Sequence, residues 1–407
     1  MSPLIKMALS NVLRAPSRSL ITVLAVATGL SALMFLWAFS EGSNEDMRTN
    51  TIELMTGHLQ IVPKGFDDRV PGWRTVEEAD ALIQKAEQNP AVAGAAPRVY
   101  GRALLSTGKG SKGVFLMGID VEKEANVTRI HQKIVDGNAL SGERREVLIG
   151  RHLAKKLDAG VGDEVVAVSR DRYGVTTGVS CRVKGIFKSG SSLIDERFIY
   201  VPIADARELN GFETESTAVV LKLRSRAELP RFISEFAGHI DAQSAEIRPW
   251  FVIAPTAEQW IKYWDDIIRV IMIVVTGVVA VSIMNTVLMS VMERTKEFGI
   301  LIAIGMHPAA IVRLVLLETV FLTAAGIAAG LALGSGLVAY YGTAGVSLAA
   351  AASALETNFM SSVVYPFIVP QRVLQSVGML AVLTVVAALY PAHKASTLRP
   401  IQAIYFS

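Results

Sequence analysis

The chain has 407 residues, 51% hydrophobic and 19% charged, with a formal net charge of +3 and a mean hydropathy of +0.40. That balance is too apolar for an ordinary soluble protein, and the mixed signs in its polar stretches make no case for a nucleic-acid partner. A single cysteine, Cys181, excludes a disulfide framework within the chain.

Charge is unevenly spread: Ser19–Ser40, Val270–Met292, Thr319–Leu355 and Val373–Ala392 carry none. A bilayer core takes roughly 20 apolar residues as helix, and lipid cannot satisfy free backbone groups, so such runs must be helical. Four spans are predicted, at 19–40, 267–291, 310–340 and 373–391. Ahead of them, residues 1–18 place Leu4, Ile5, Ala8, Leu9, Val12 and Leu13 on one helical face and Lys6, Asn11 and Arg14 on the other. This predicts a short amphipathic helix in the inner interface, broken by Pro16. Ala38-Phe39-Ser40 would suit a signal peptidase, but the apolar run is longer than the usual 7–15 residues of a signal peptide.

The segment 41–266 predicts a large mixed α/β domain. His58–Val62 alternates like a strand, Thr75–Gln88 reads as a helix, and Val114–Ile119 as a strand. Gly108-Lys-Gly-Ser-Lys-Gly113 lacks phosphate-loop spacing and reads as a hairpin turn. Glu146–Ile149 then Gly150–Leu157 read as strand and helix. Val165–Ser169 and Cys181–Phe187 flank a Gly174–Gly178 turn as strands, and Ala218–Leu223, Glu228–Phe236 and Glu246–Val252 form a strand, helix and strand. The expected arrangement is split: an α/β layer from 57–120 and 216–254, with a β-rich module inserted at 121–215. Trp260, Tyr263 and Trp264 precede the second span, where an aromatic belt sits.

A charged segment, 292–309, separates spans two and three. Span three carries Gly326, Gly330 and Gly334 at four-residue spacing, a small-residue face for helix packing. It also carries Glu318, a carboxylate that must face protein or a partner. A loop at 341–372, with an Ala-rich stretch Ser347–Ala354, leads to span four and the tail 392–407. Lys6, Arg14, Arg18, Arg294, Lys296, Arg313, Lys394 and Arg399 flank one side, against Arg372 alone in the opposite short loop. The positive-inside rule therefore places both termini and 292–309 in the cytoplasm and 41–266 outside.

Catalytic constellations are lacking: the sequence has no H-E-x-x-H, no G-x-S-x-G and no G-x-x-x-x-G-K-[ST]. The segment 292–309 offers instead a docking knob. Glu293 and Glu297 share a helical face beside Arg294 and Lys296, Phe298, Leu301 and Ile304 supply an apolar edge, and Gly299 and Gly305 permit sharp entry and exit. A solvated loop that only sets topology is the alternative the residues leave open.

Three stretches carry a resemblance. Glu293–Met306 (ERTKEFGILIAIGM) resembles the E-R-x-x-E-[IF]-G-x-L-[RK]-A-[IL]-G pattern of FtsX-like permeases, departing from it at Ile302, where a basic residue is usual. Tyr390–Ile404 (YPAHKASTLRPIQAI) is similar to the end of that family, and Asn11–Thr22 (NVLRAPSRSLIT) to its beginning. The resemblance implies a multi-pass permease of the FtsX/MacB (type VII) ABC transporter family in a bacterial inner membrane, with a MacB-like periplasmic core. It implies a non-catalytic subunit that binds no cofactor, a separate cytoplasmic ATPase that consumes ATP and Mg, and a second permease copy or paralogue. Within the family the look is closest to lipoprotein-releasing (LolC/LolE-type) permeases. That implies lipoprotein cargo, with efflux of small molecules or peptides, or FtsX-like control of cell-wall hydrolases, as alternatives. If cargo or membrane lipid enters from the outer leaflet, Met34, Phe35 and Trp37 on span one and Met272 and Ile273 on span two are the candidate contacts.

Overall fold

The computed structural model describes residues 3–14, 16–66, 73–348 and 363–397. The tail motif beyond Thr397 and the Ala-rich stretch beyond Leu348 lie outside them. Among the described residues two units emerge: a helical unit from 3–44, 262–347 and 363–397, and an α/β unit from 45–261.

In chain order, α1 (Pro3–Arg14) and α2 (Pro16–Thr51) lead through a π-helical turn, Ile52–Thr56, to β1 (Leu59–Pro63), α3 (Ala79–Glu87), β2 (Val92–Thr107) and β3 (Gly110–Ile119). Next come α4 (Val121–Glu124), β4 (Ile134–Gly137), β5 (Glu146–Gly150), α5 (Arg151–Leu157), β6 (Glu164–Arg170) and β7 (Thr176–Phe187). They are followed by α6 (Ser192–Arg197), β8 (Phe198–Pro202), α7 (Ile203–Asn210), β9 (Ala218–Leu223), α8 (Leu229–Phe236), β10 (Ala245–Pro249) and α9 (Trp250–Ile253). The chain then runs through α10 (Pro255–Glu293), α11 (Thr295–Ala303), α12 (Pro308–Ala344), the short pair β11 (Val346–Ser347) and β12 (Val363–Val364), and α13 (Pro370–Ser396).

The α/β unit is built on one ten-stranded sheet, ordered β10-β1-β9-β2-β3-β8-β5-β7-β4, with β6 joining β2 to β7. This corrects the expected division at residue 121. β2 is 16 residues long, and one of its edges pairs with β9 through Val92–Arg98 and with β6 through Leu104–Ser106. β3 continues the sheet through a parallel pairing with β8. Segment 121–215 thus shares the sheet rather than forming a separate module. What divides is the packing: one apolar cluster gathers Val147, Leu153, Val179, Cys181, Val201 and Leu209, another Leu59, Ile61, Ile83, Leu221, Phe232 and Trp250. Gly108 and Lys109 form the two-residue turn between β2 and β3, in the register Thr107 opposite Gly110.

In the helical unit, four helices among the described residues are long and apolar enough to cross a bilayer: Pro16–Thr56, Pro255–Glu293, Pro308–Ala344 and Pro370–Ser396. The predicted spans fall inside them. α2 and α10 exceed their apolar runs because helix hydrogen bonding does not stop at the hydrocarbon boundary, and charged turns such as Glu41–Arg48 continue it. α12 lies against α2 along the glycine row. A Cβ at Gly326 would fall 2.5 Å from Val26 Cβ, one at Gly330 2.9 Å from Leu30 Cβ, and one at Gly334 2.9 Å from Met34 Sδ. Only glycine permits that approach.

Candidate functional site

The segment between α10 and α12 is a short helix set between two tight turns. α10 ends at Glu293, Arg294 leaves helical geometry (φ −98°, ψ 15°), and α11 starts at Thr295. Gly305 takes φ +98°, a conformation that favours glycine. His307 then caps α12, its Nδ1 accepting the Ala309 N–H at 3.2 Å, with Pro308 in the first turn.

Arg294 is the hub. It donates to both oxygens of Glu318 at 3.0 Å and to Glu297 at 2.9 Å, and its guanidinium lies 5.1 Å from the centre of the Phe298 ring. Asn11 of α1 donates to the same Glu318, and Arg18 of α2 pairs with Glu293. Of the polar residues predicted for docking and for packing, Arg294, Glu297 and Glu318 form one network joining α1, α11 and α12, the separate Arg18–Glu293 pair links α2 to α10 beside it, and Lys296 is exposed. Glu318 finds its cation in Arg294, 24 residues away, rather than in nearby Arg313. An open cavity of about 280 Å³ lies over this network, lined by Arg14, Arg18, Glu293, Arg294 and Glu318 together with apolar residues such as Val291 and Leu322.

The apolar edge assigned to α11 needs correction. Phe298 is fully buried at 0% exposure, Gly299 is buried and Leu301 half-buried. They face inward with Thr295, which precedes Phe298 and Gly299 by three and four residues on α11, and with Val291 of α10. The exposed stripe is Lys296, Ile300 (54%) and Ile304 (74%), flanked by Glu293 and Glu297. Lys296 and Ile304 were expected there; four-residue spacing from Lys296 was the available signal for Ile300.

The candidate cargo contacts also change. Met34, Trp37 and Met272 are buried within the chain, Met34 against Gly334 and the other two in a cluster with Leu33 and Ile268. Phe35 is half-buried, its ring edge-on to Tyr341 at 5.4 Å. Ile273 alone of the five is open, at 61%. Packing between α2, α10 and α12 consumes the apolar surface that composition had made available. Trp37 also lies under the Arg372 guanidinium at 4.0 Å, and Arg372 donates to Glu41 at 2.9 Å.

Sequence reasoning missed a second site, in the α/β unit. Arg98 on β2 is completely buried; it donates to Glu124 through Nε and Nη2 and to Tyr100 Oη and the Met55 carbonyl through Nη1. Burial opposes its charge, but Glu124 and Tyr100 outweigh that and raise its pKa above the ordinary value. Thr128 donates to Glu124 at 2.6 Å, and Tyr200 reaches the Leu54 carbonyl at 3.4 Å. Glu53 accepts the Arg129 N–H at 2.7 Å through its carbonyl and pairs with Arg129 and Lys222 through its carboxylate. The π-helical turn that ends α2 is thus held at three consecutive residues. Cys181 is buried, and burial pushes its thiol up to about 12, so it carries no nucleophile chemistry near neutral pH.

Comparison with known proteins places two family matches along the chain. A family model described as MacB-like periplasmic core domain matches residues 19–238, and one described as FtsX-like permease C-terminal matches 269–400. The lipoprotein-releasing system transmembrane protein LolC of Neisseria meningitidis serogroup B is 24% identical over 95% of this chain and 94% of its own length. The macrolide export ATP-binding/permease protein MacB of Agrobacterium fabrum is 25% identical over 95% of this chain, which spans 58% of that protein. Among solved structures, the periplasmic region of MacB from Actinobacillus actinomycetemcomitans aligns with 52% of this chain and 95% of its own, with 14% identity and a TM-score of 0.36.

Proposed function

We propose, from the premise that this chain belongs to the FtsX/MacB-like ABC transporter permease family, that it is a non-catalytic permease subunit passing the motion of a cytoplasmic ATPase to its α/β unit. ATP and Mg are used by that ATPase, and a second permease copy or paralogue completes the pair. Both termini and α11 lie in the cytoplasm, and the α/β unit lies in the periplasm of a bacterial inner membrane. The observation that supports this best is the Arg294 network. It ties α11 to α1 and α12 by charge-assisted contacts, and the Arg18–Glu293 pair beside it ties α2 to α10, so a push on the exposed stripe reaches several helices at once.

The docking stripe is Lys296, Ile300 and Ile304. Replacing Ile300 and Ile304 with Asp removes its apolar contact without touching the buried face. The permease is then expected to insert normally and to lose its ATPase on copurification. Full copurification with full transport would reduce α11 to a topogenic loop. Cargo is assigned to lipoproteins, supported by the nearly end-to-end match to LolC. Release of a labelled lipoprotein from spheroplasts by the permease and its ATPase tests this, and ATP-dependent efflux of a macrolide without lipoprotein release would favour the MacB-like alternative. For orientation, an impermeant maleimide should reach Cys181 in intact spheroplasts once denaturant opens the α/β unit. Labelling only after lysis overturns the topology.

A further inference from the structure

The α/β unit carries an open pocket of about 220 Å³ within its own residues. Its walls include Met47, Met55, Leu193, Trp260 and the rings of Phe115 and Phe198, stacked at 5.1 Å. Leu193 and Trp260 are exposed, a large apolar surface left open to solvent. The two methionines can shift to fit an irregular apolar ligand. Arg197 is the one charged residue among those lining the pocket, and it is exposed.

Two considerations select the ligand. A peptide would bring backbone N–H and C=O groups that this lining cannot satisfy, since Thr256 is almost its only other polar side chain. An acyl chain brings none. Depth along α10 points the same way. Trp260 precedes the apolar run that begins near residue 267 by about 10 Å of helix rise, and the headgroup layer is about 5–8 Å deep on each side of a bilayer. Trp260, one wall of the pocket, is thus carried on the same helix about one headgroup depth ahead of that run.

We propose that the pocket takes one acyl chain of an anionic phospholipid drawn up from the outer leaflet, with its phosphate on Arg197. This rests on the α/β unit lying outside the membrane, but not on the cargo or on the ATPase.

The test uses the full chain in nanodiscs of phosphatidylglycerol containing a trace of the same lipid with a diazirine in its acyl chain. Sites of photolabelling are mapped by mass spectrometry. Labels are expected on Met55, Leu193 and Phe198, and Arg197→Glu should reduce them about tenfold, while nanodiscs of phosphatidylcholine show no such dependence. Labels confined to Phe251 and Val252, which are exposed but do not line the pocket, would mean contact with the membrane surface only and would overturn the proposal. So would labelling of the pocket that ignores Arg197→Glu. In cells, a photo-crosslinker at Leu193 that captures a lipid-anchored protein instead of phospholipid would also reject it. Copurification of the ATPase, measured on the same Arg197→Glu sample, is expected to be unchanged, so failure of the coupling reading would be seen separately.

Discussion

Glu124→Gln gives the sharpest test of how the π-helical turn is held. It keeps the shape of the side chain but leaves the completely buried Arg98 charge without its counterion. Removing one partner of a buried pair costs about 3–5 kcal/mol, a large share of the roughly 5–15 kcal/mol that holds a domain folded. For a domain of this size each kcal/mol shifts Tm by about 2–4 °C, so the α/β unit should melt roughly 6–20 °C lower. Arg98→Met with Glu124→Gln removes the charge but leaves the Met55 carbonyl without its donor, at about 1–3 kcal/mol. The double variant should therefore be more stable than the single one. Near-UV circular dichroism of the full chain in detergent reads the melting, and hydrogen exchange reads the amides of residues 53–57, which should open ahead of the sheet. A Glu124→Gln protein with unchanged Tm, or a double variant no better than the single, would show that the pair is not what holds the turn.

Other consequences can be measured more simply. Gly330→Leu drives a side chain into Leu30 and the Ala27 carbonyl and should cost about 1–3 kcal/mol or more of packing. Gly336→Ala, which meets open space, should be neutral or slightly stabilising; equal effects in a detergent melting assay would refute the α2–α12 contact. Phe298→Ala should cost about 3–5 kcal/mol through the cavity it leaves in the helical unit; a variant with wild-type stability that loses the ATPase would restore Phe298 as a docking residue. His58 is buried with its Nδ1 accepting the Leu223 N–H; burial first, then Lys222 and Arg226, lowers its pKa to about 4 from 6.5. The unfolded chain binds the extra proton between those values, so stability should fall as pH drops from 6.5 towards 4 and then level off. His58→Gln should remove that part of the slope, and an unaltered profile would refute the assignment.

Much of this architecture was legible wherever local chemistry leaves a chain few choices. Lipid forces helix on long uncharged runs, so four spans could be read from composition. The Gly108-Lys109 turn, the strand and helix at 146–157 and the glycine row were likewise visible at short range. Burial was harder to read. Arg98, Glu124 and Met55 are far apart in sequence, and nothing local marks a charge destined for a core. Met34, Trp37 and Met272 have the composition of a lipid-facing surface, yet helix packing claims them. The continuity of the sheet was hidden for a related reason: the pairing of β8 with β3 joins residues about 80 positions apart, and strand patterns do not encode partners.

The placement of β1 has a consequence for biosynthesis. Its neighbours in the sheet are β9 and β10, which are made last in the α/β unit, and α10 begins a few residues after β10. At 5–20 residues per second, the ribosome needs roughly 10–40 s to travel from β1 to β10. Until β9 is made near the end of that interval, the apolar β1 residues Leu59, Ile61 and Val62 have no partner strand, and until β10 is made they have only one. Closure of the sheet and threading of the second membrane helix then fall in the same few seconds of synthesis. The nascent α/β unit must therefore be shielded until its second long apolar helix is being made, and a chain stalled just before Ala245 would present β1 as an open edge for aggregation.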